Sequence, residues 1–180
     1  QNEEKHSTFV YHGIHVENRA TVICELEYDS LSDIEKFLEQ ELTEHSTYDD
    51  TSGCYLPSDM LNVVFLPLHL GGHFVFGGVN LRQVLDYGMM VKNSAEDSID
   101  WNKVREIAVR GGFFRFLCCL NGICIDYLGF PSDCFPDWSR DAELEKKVLE
   151  DIIDAKYVNA SSLAEKIRRY FANRWKYNLV

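Results

Sequence analysis

The stretch of residues 68–86, LHLGGHFVFGGVNLRQVLD, influences the fold more than any other part of this sequence. It continues an apolar run that starts at Met60, and together they predict a long core helix. Asn62 and Pro67 interrupt the run, so it lacks the composition of a membrane span. Two glycine pairs punctuate the stretch, and a second helical pattern opens after Asn80. We therefore expect two core helices joined by a glycine-containing turn.

Polar side chains recur along this apolar stretch at helical spacing. His69 and His73 are four residues apart, so a helix places both on one face. Arg82 and Asp86 have the same spacing in the second helix, where a guanidinium and a carboxylate can pair. Polar groups among so many apolar side chains need partners when they are buried. We therefore expect a partly buried polar cluster that ties the two helices together.

The composition is that of a soluble protein with a sizeable core. The chain has 180 residues, 46% of them hydrophobic and 13% aromatic, which suits one domain. Its net charge of −11 argues against non-specific nucleic-acid binding. The six cysteines lack CxxC spacing and lie mostly in apolar runs, which predicts reduced core thiols rather than disulfides or a zinc site. With no signal peptide and no membrane-length run, a cytoplasmic location is expected.

The N-terminal residues predict a β-hairpin. Residues 7–17 and 20–28 read as two strands, joined by a short turn at residues 18–19. On the second strand Glu25 and Glu27 share one face, because successive side chains alternate between faces. Two carboxylates on one strand face are either a solvated edge or part of an acidic site.

Helical patterns follow the hairpin and continue to the end of the chain. Ser32 and Glu35 have the spacing of a capping box. Asp100 is the expected cap of the helix that starts at residue 101. Residues 45–53 are polar and predict a loop. Residues 113–128 are apolar almost all round and predict the central buried helix. The sequence thus predicts an α+β fold of one hairpin and six or seven helices. The predicted helices cover residues 30–44, 82–92, 101–109, 113–128 and 141–155, with a long apolar helix that starts at residue 57 and a last helix from residue 162.

Several motifs together resemble a known family. They are residues 68–91 (LHLGGHFVFGGVNLRQVLDYGMMV), residues 99–117 (IDWNKVREIAVRGGFFRFL), residues 125–131 (IDYLGFP) and the closing NRWKY at residues 173–177. This combination is similar to the C-terminal part of the uncharacterised nucleotidyltransferase-like family, within the polymerase-β-type nucleotidyltransferase superfamily. The resemblance implies that residues 1–29 belong to a nucleotidyltransferase palm and residues 30–180 to a helical C-terminal domain.

The resemblance also implies a metal-dependent chemistry. Such enzymes are expected to hold two metal ions on a strand-borne Asp-x-Asp pair and a third carboxylate on a neighbouring strand. That third carboxylate falls on Glu25, the expected catalytic residue and metal ligand, with Glu27 beside it as a second ligand. The Asp-x-Asp pair is not in this sequence, because Asp97 and Asp100 have the wrong spacing. One or two glutamates are poor Mg²⁺ sites by themselves, so no cofactor is expected for this chain alone.

Candidate nucleotide contacts are Arg82, Asp86 and His73. The alternative interpretation is that each of these side chains has a structural role and pairs with another side chain. His69 and His73 also have the spacing of a metal-binding pair, but no glutamate follows His69 as a zincin motif requires. Packed histidines bonded to Asp86 or to a carbonyl are the other interpretation. A basic cluster near the C-terminus suits either a polyanion-steering surface or an amphipathic surface helix; its members are Lys166, Arg168, Arg169, Arg174 and Lys176.

The sequence therefore predicts the rear portion of a nucleotidyltransferase-like protein. In the intact protein we expect Mg²⁺-dependent transfer from a nucleoside triphosphate to an unknown acceptor, and no membrane partner. The chain starts at Gln1 rather than methionine and stops after a helical pattern, so we expect an N-terminal half of the same protein to complete it. Alone, this portion is expected to be inactive. The competing prediction is a non-enzymatic helical binding module whose hairpin offers an edge to a partner chain.

Overall fold

Two small hairpins and a set of packed helices make up the part of the chain that the structure describes. This computed structural model describes residues 6–19, 21–23, 29–76, 78–154, 167 and 171–180. The α+β class predicted from the sequence is confirmed. In these ranges the strands are β1 (His6–Tyr11), β2 (Ile14–Arg19), β3 (Thr47–Asp49) and β4 (Cys54–Leu56). The helices are α1 (Asp29–Glu44), α2 (Asp59–Phe76), α3 (Leu81–Asn93), α4 (Trp101–Arg110), α5 (Phe114–Asp126) and α6 (Ala142–Ile153).

The first hairpin lies earlier in the chain than the sequence predicted. Strands β1 and β2 pair antiparallel, with Tyr11 opposite Ile14. The two residues between them, His12 and Gly13, both have positive φ angles, 49° and 81°. Two positive φ angles in a two-residue loop match the right-handed twist of the flanking strands. The predicted turn at residues 18–19 is therefore wrong, because both residues belong to β2. The chain instead reverses within residues 7–17, which were predicted to form one strand.

The polar segment at residues 45–53 is also more ordered than a loop. Its residues contribute β3 and most of the connection to β4, an antiparallel pair in which Tyr48 lies opposite Tyr55. The two tyrosine rings meet edge to face, with their centroids 5.2 Å apart. Cross-strand aromatic contacts of this kind stabilise short hairpins. The expectation of a simple loop is therefore wrong at this position.

The central buried helix predicted at residues 113–128 is confirmed as α5. Eight of its residues are buried, which is more than one helix face can supply. Helix α5 packs against α2, α3, α4 and α6, and α2 in turn contacts α1, α3 and α4. The core therefore sits around α2 and α5. Within the described ranges, none of the helices combines the length and the apolar composition that a membrane span requires.

Local capping signals set the starts of three helices. The Asn80 side chain accepts from the Gln83 backbone, and the Gln83 side chain accepts from the Asn80 backbone, which closes a capping box on α3. Asp100 caps α4, as predicted, by accepting from the two backbone groups that follow it by two and three residues. Asp141 caps α6 by accepting from Leu144. These starts follow from residues within one helical turn.

Residues after α5 pack closely against the earlier helices at glycines. A Cβ on Gly88 would lie 2.6 Å from the Phe130 ring, and one on Gly71 would lie 3.0 Å from the Val180 side chain. A Cβ on Gly122 would clash with the Glu145 carboxylate. The C-terminal third therefore completes the core of the earlier helices. The predicted division of the chain after residue 29 stays a prediction, and the helix predicted from residue 162 begins outside the described residues.

Candidate functional site

The chain segment that leads to Glu25 is attached to α1 by one buried carboxylate. Glu35 is only 5% exposed. Its Oε1 accepts a hydrogen bond from the Val22 amide at 2.6 Å, and its Oε2 accepts one from the Ile23 amide at 2.7 Å. Bonds from backbone amides to a charged carboxylate are among the strong ones. This carboxylate therefore holds the backbone of Val22 and Ile23 against α1.

The two predicted metal ligands lie just beyond this attachment. Glu25 and Glu27 belong to residues 24–28, which are outside the described residues. Their roles as third carboxylate and companion ligand stay predictions. Within the described ranges, no group of three or more His, Cys, Asp or Glu side chains is arranged to hold a metal ion.

The geometry of Glu35 overturns its predicted role in a capping box. The sequence spacing suggested that Glu35 caps the helix together with Ser32, but α1 already begins at Asp29. Both Glu35 oxygens instead accept hydrogen bonds from Val22 and Ile23, which are thirteen and twelve residues away. The capping-box pattern is local, whereas this contact depends on where the preceding segment crosses α1. The sequence signal for it was a glutamate beside the apolar stripe that includes Ile34 and Leu38.

The two histidines of α2 contact each other. The Nε2 atoms of His69 and His73 are 3.0 Å apart, so a proton on one ring can be donated to the other. The His69 ring also stacks on Phe65, with centroids 5.4 Å apart. His73 is exposed and His69 is half-buried. The one-face arrangement predicted from the i,i+4 spacing is confirmed, and the role of His73 as a nucleotide contact stays a prediction.

Arg82 and Asp86 do not form the buried cluster that the sequence suggested. The closest approach of Arg82 Nε to Asp86 Oδ2 is 4.0 Å, and the side chains are 87% and 66% exposed. The expectation of burial is wrong because α3 turns Val84, Tyr87 and Val91 toward the core, which leaves these two on its outer surface. An exposed pair of this geometry contributes little to stability. Their role as nucleotide contacts stays a prediction.

A buried ion pair lies elsewhere, on residues that the sequence had not indicated. Arg140 donates to both oxygens of Glu145, at 2.9 and 2.5 Å, and to Asp126 at 2.6 Å. The Glu145 side chain is 2% exposed. The hydrogen bonds from Arg140 lower the pKa of Asp126, and the Glu145 and Asp126 bonds raise the pKa of Arg140. The signal in the sequence was Glu145 at a position of the α6 apolar stripe that Val148 and Leu149 continue.

The predicted basic surface near the C-terminus is not one surface. Lys176 is buried at 3% exposure, where its ammonium pairs with Asp151 and lies 3.4 Å from the Phe74 carbonyl oxygen. Arg174 is exposed, and the other members of the cluster lie outside the described residues. The prediction of a surface position is wrong for Lys176, because the segment that carries this residue packs into the core. Its ammonium lies 4.4 Å from the centre of the Phe74 ring.

The cysteines among the described residues are free thiols of low reactivity where they are buried. Cys119 and Cys124 are buried, as predicted, whereas Cys54 on β4 is exposed. Burial raises the pKa of Cys118 to about 11 and the pKa of Cys119 to about 12, and the nearby Glu145 carboxylate acts in the same direction. A thiol that stays protonated is a poor nucleophile. These residues therefore belong to the core rather than to a catalytic site.

Comparison with protein families gives a match to most of the chain. Residues 1–129 match the family described as uncharacterised nucleotidyltransferase, which is more than two thirds of the chain. The chain belongs to this family. Comparison with curated proteins and with solved structures gave no match. The general assignment made from the sequence motifs is therefore confirmed.

The nucleotidyltransferase match covers both hairpins, α1–α5 and every predicted metal ligand and nucleotide contact. It includes Glu25, Glu27, His73, Arg82 and Asp86. The residues after the match supply the buried partners described above, namely Glu145 against α5 and Lys176 against α2. The helices that the family match covers are thus completed by contacts from the residues that follow it.

Proposed function

We propose that this chain is a portion of a nucleotidyltransferase that uses Mg²⁺ and a nucleoside triphosphate. The observation that carries the proposal is the family match over residues 1–129, which includes the acidic segment at residues 24–28. In nucleotidyl transfer an acceptor nucleophile attacks the α-phosphorus, a new bond forms to phosphorus, and pyrophosphate leaves. Glu25 is the third carboxylate of the metal site in this proposal, with Glu27 as the neighbouring ligand.

The attachment made by Glu35 supports the role of Glu25. A carboxylate that positions a divalent ion must itself be held in place. Because Glu35 bonds the amides of Val22 and Ile23, the backbone is fixed two residues before Glu25. Both Glu35 oxygens are occupied by these amides, so Glu35 is a positioning residue rather than a further ligand. When bound, Mg²⁺ supplies charge neutralisation of the triphosphate.

The exposed first hairpin supports the proposal that further chain completes the site. Phe9 and Tyr11 are 51% and 62% exposed on one strand face, and Val10 is 59% exposed on the other. Apolar side chains on both faces of a two-stranded hairpin are typical of strands that belong to a larger sheet. We propose that the sheet's remaining strands carry the Asp-x-Asp pair. Mg²⁺ prefers a near-ideal octahedron of ligands, and Glu25 and Glu27 do not supply enough of them without the Asp-x-Asp pair. We therefore expect this chain alone to be inactive.

Two forms of the protein test the proposal. With Mg²⁺ and any common nucleoside triphosphate, the 180-residue chain is expected to show no turnover and millimolar binding at best, about −4 kcal/mol. A longer form with an upstream acidic strand is expected to bind a nucleoside triphosphate with Mg²⁺. Glu25→Gln in that form weakens metal-dependent binding or rate, and Glu39→Gln on the exposed side of α1 is the matched control. Calorimetry and a pyrophosphate-release assay measure both.

Two results would contradict this proposal. Tight Mg²⁺-dependent nucleotide binding by the 180-residue chain would show that no further strand is needed. Equal behaviour of Glu25→Gln and Glu39→Gln in the longer form would remove Glu25 from the metal site.

A second candidate function is a non-enzymatic binding module. The same exposed hairpin favours it, because strands with unpaired edges can accept a strand from another chain. The two functions differ in one measurement. A longer form that binds a partner protein through the hairpin but never releases pyrophosphate supports the binding module.

A further inference from the structure

A groove between α1 and α4 has the features of a small-molecule site that the catalytic proposal does not use. It encloses a cavity of about 280 Å³. Ligand pockets in proteins begin at about this size. The groove closes at one end where Gly111 follows α4, since a Cβ there would lie 2.6 Å from Ile34. Its walls come from two helices that the core holds in place, so the groove is formed before any ligand binds.

The floor of the groove is apolar and includes an aromatic ring. Ile34 and Ile107 are 2% and 7% exposed. Phe37 is half-buried and lines the cavity from α1. The ammonium of Lys103 on α4 lies 6.0 Å from the centre of the Phe37 ring. One cavity therefore offers an aromatic surface and a positive charge side by side.

The rim of the groove carries more positive than negative groups. Lys36 lies 3.9 Å from Asp33, and Arg110 lies 2.8 Å from Glu106, so each carboxylate is paired on its own helix. Lys103 is the further cation, and among the described residues no carboxylate forms an ion pair with it. In a chain with net charge −11, such a rim provides a local field of the opposite sign.

We propose that this groove binds a phosphorylated aromatic heterocycle, such as a nucleoside monophosphate, without a metal ion. The ring stacks on Phe37, and the phosphate oxygens accept hydrogen bonds from Lys103 and Arg110. Arg110 has donors to spare, because a guanidinium has five N–H groups and the contact with Glu106 uses one nitrogen. Stacking combined with charge-assisted hydrogen bonds is a common way to hold a nucleotide.

The groove and the Glu35 attachment lie on different faces of α1. Phe37 and Glu35 are two residues apart on α1, which places them about 160° apart around the helix. Glu35 therefore faces residues 22–23 while Phe37 faces α4. The groove needs neither Mg²⁺ nor Glu25, so its ligand binding is measurable whether or not the catalytic proposal holds.

Nuclear magnetic resonance titration of the 180-residue chain, with a chelator present, tests the proposal. A nucleoside monophosphate is expected to shift the amide signals of residues 33–40 and 103–110, with saturation near a Kd of about 1 mM. The nucleoside without phosphate and inorganic phosphate without the ring are the two partial probes. Each is expected to bind more weakly than the whole ligand, because each makes only one of the two contacts.

Variants separate the two contacts. Lys103→Gln is expected to weaken nucleotide binding about five-fold, and Phe37→Leu weakens nucleotide binding while leaving the response to phosphate unchanged. The matched control is Lys146→Gln, which removes an exposed lysine from α6. No saturating shift up to about 10 mM nucleotide would overturn the proposal. Equal weakening by Lys103→Gln and Lys146→Gln would also overturn it, because binding would then depend on overall charge alone.

Discussion

Replacing Arg140 by alanine is expected to destabilise this protein far more than replacing Arg82. Arg140 bonds both oxygens of Glu145, and Glu145 is buried beside Gly122 with 2% of its side chain exposed. Arg140→Ala removes these donors and leaves a buried carboxylate unpaired. Arg82 makes a 4.0 Å contact with Asp86 on an exposed surface, so Arg82→Ala removes the same charge type without exposing or burying another group.

The expected magnitudes differ about ten-fold. Breaking a buried ion pair by removing one partner costs about 3–5 kcal/mol, mainly through the uncompensated charge that remains. For a domain of this size each kcal/mol lowers Tm by about 2–4 °C, which corresponds to roughly 6–20 °C for Arg140→Ala. An exposed i,i+4 pair contributes about 0.3–0.5 kcal/mol, so Arg82→Ala should shift Tm by about 1–2 °C.

Urea unfolding followed by circular dichroism, with thermal melts in parallel, measures both variants. The double variant Arg140→Ala/Glu145→Gln tests the cause, because an uncharged amide in place of the carboxylate should recover part of the lost free energy. If Arg140→Ala stays within about 0.5 kcal/mol of the unmodified chain, the Glu145 site must be hydrated and the reasoning fails. If the double variant is less stable than Arg140→Ala, the loss does not come from an unpaired charge.

The remaining predictions concern metal ions and thiols. Dialysis against a chelator should leave Tm unchanged, because the nitrogens of His69 and His73 already contact each other; a large fall in Tm would show a structural metal instead. At pH 8 iodoacetamide should modify exposed Cys54 much faster than Cys119 and Cys124, and mass spectrometry that finds the reverse order would refute the packing of α5. Burial raises the pKa of both core thiols to about 12 from 9.0, so the folded state binds more protons in that window. Their stabilising contribution is therefore complete below pH 9.0 and should decline as the pH rises toward 12, which alkaline unfolding curves measure.

Local sequence signals predicted the helices well. Asp100 was expected to start α4, and it does, because an N-cap needs only a side-chain oxygen and the amides two and three residues later. The central position of α5 followed from a segment that is apolar on all sides, which is stable only when surrounded. The Asp100 cap and the burial of α5 each depend on fewer than twenty consecutive residues, so both can be predicted without knowledge of the rest of the fold.

Strand positions were harder to predict from the same sequence. Alternation along residues 7–17 predicted one strand, yet the chain reverses at His12 and Gly13 in the middle of that run. An alternating pattern has the same period on both sides of a two-residue turn, so the pattern by itself does not locate the reversal. The glycine was the available signal, because the positive φ of 81° at that position suits glycine.

The candidate site was likewise predicted only in part. The order of motifs in the sequence was enough to indicate the nucleotidyltransferase family and to select Glu25, which lies outside the described residues. The hydrogen bonds from Val22 and Ile23 to Glu35 could not be predicted from the sequence, because no local pattern links residues that are twelve and thirteen positions apart. The groove beside Phe37 likewise exists only because α1 and α4, distant in sequence, lie side by side.

The sequence alone therefore determined the class of the fold, most of the helices and the Asp100 cap, because these depend on spacing and on neighbouring residues. Only the tertiary structure decided which charged groups are buried. Arg82 and Asp86 follow a long apolar segment of the sequence and are exposed, whereas Glu145 occurs in a charged segment and is buried. The physical reason is that burial depends on what packs against a side chain. A glycine more than twenty residues away, Gly122, makes the room in which the Glu145 carboxylate lies.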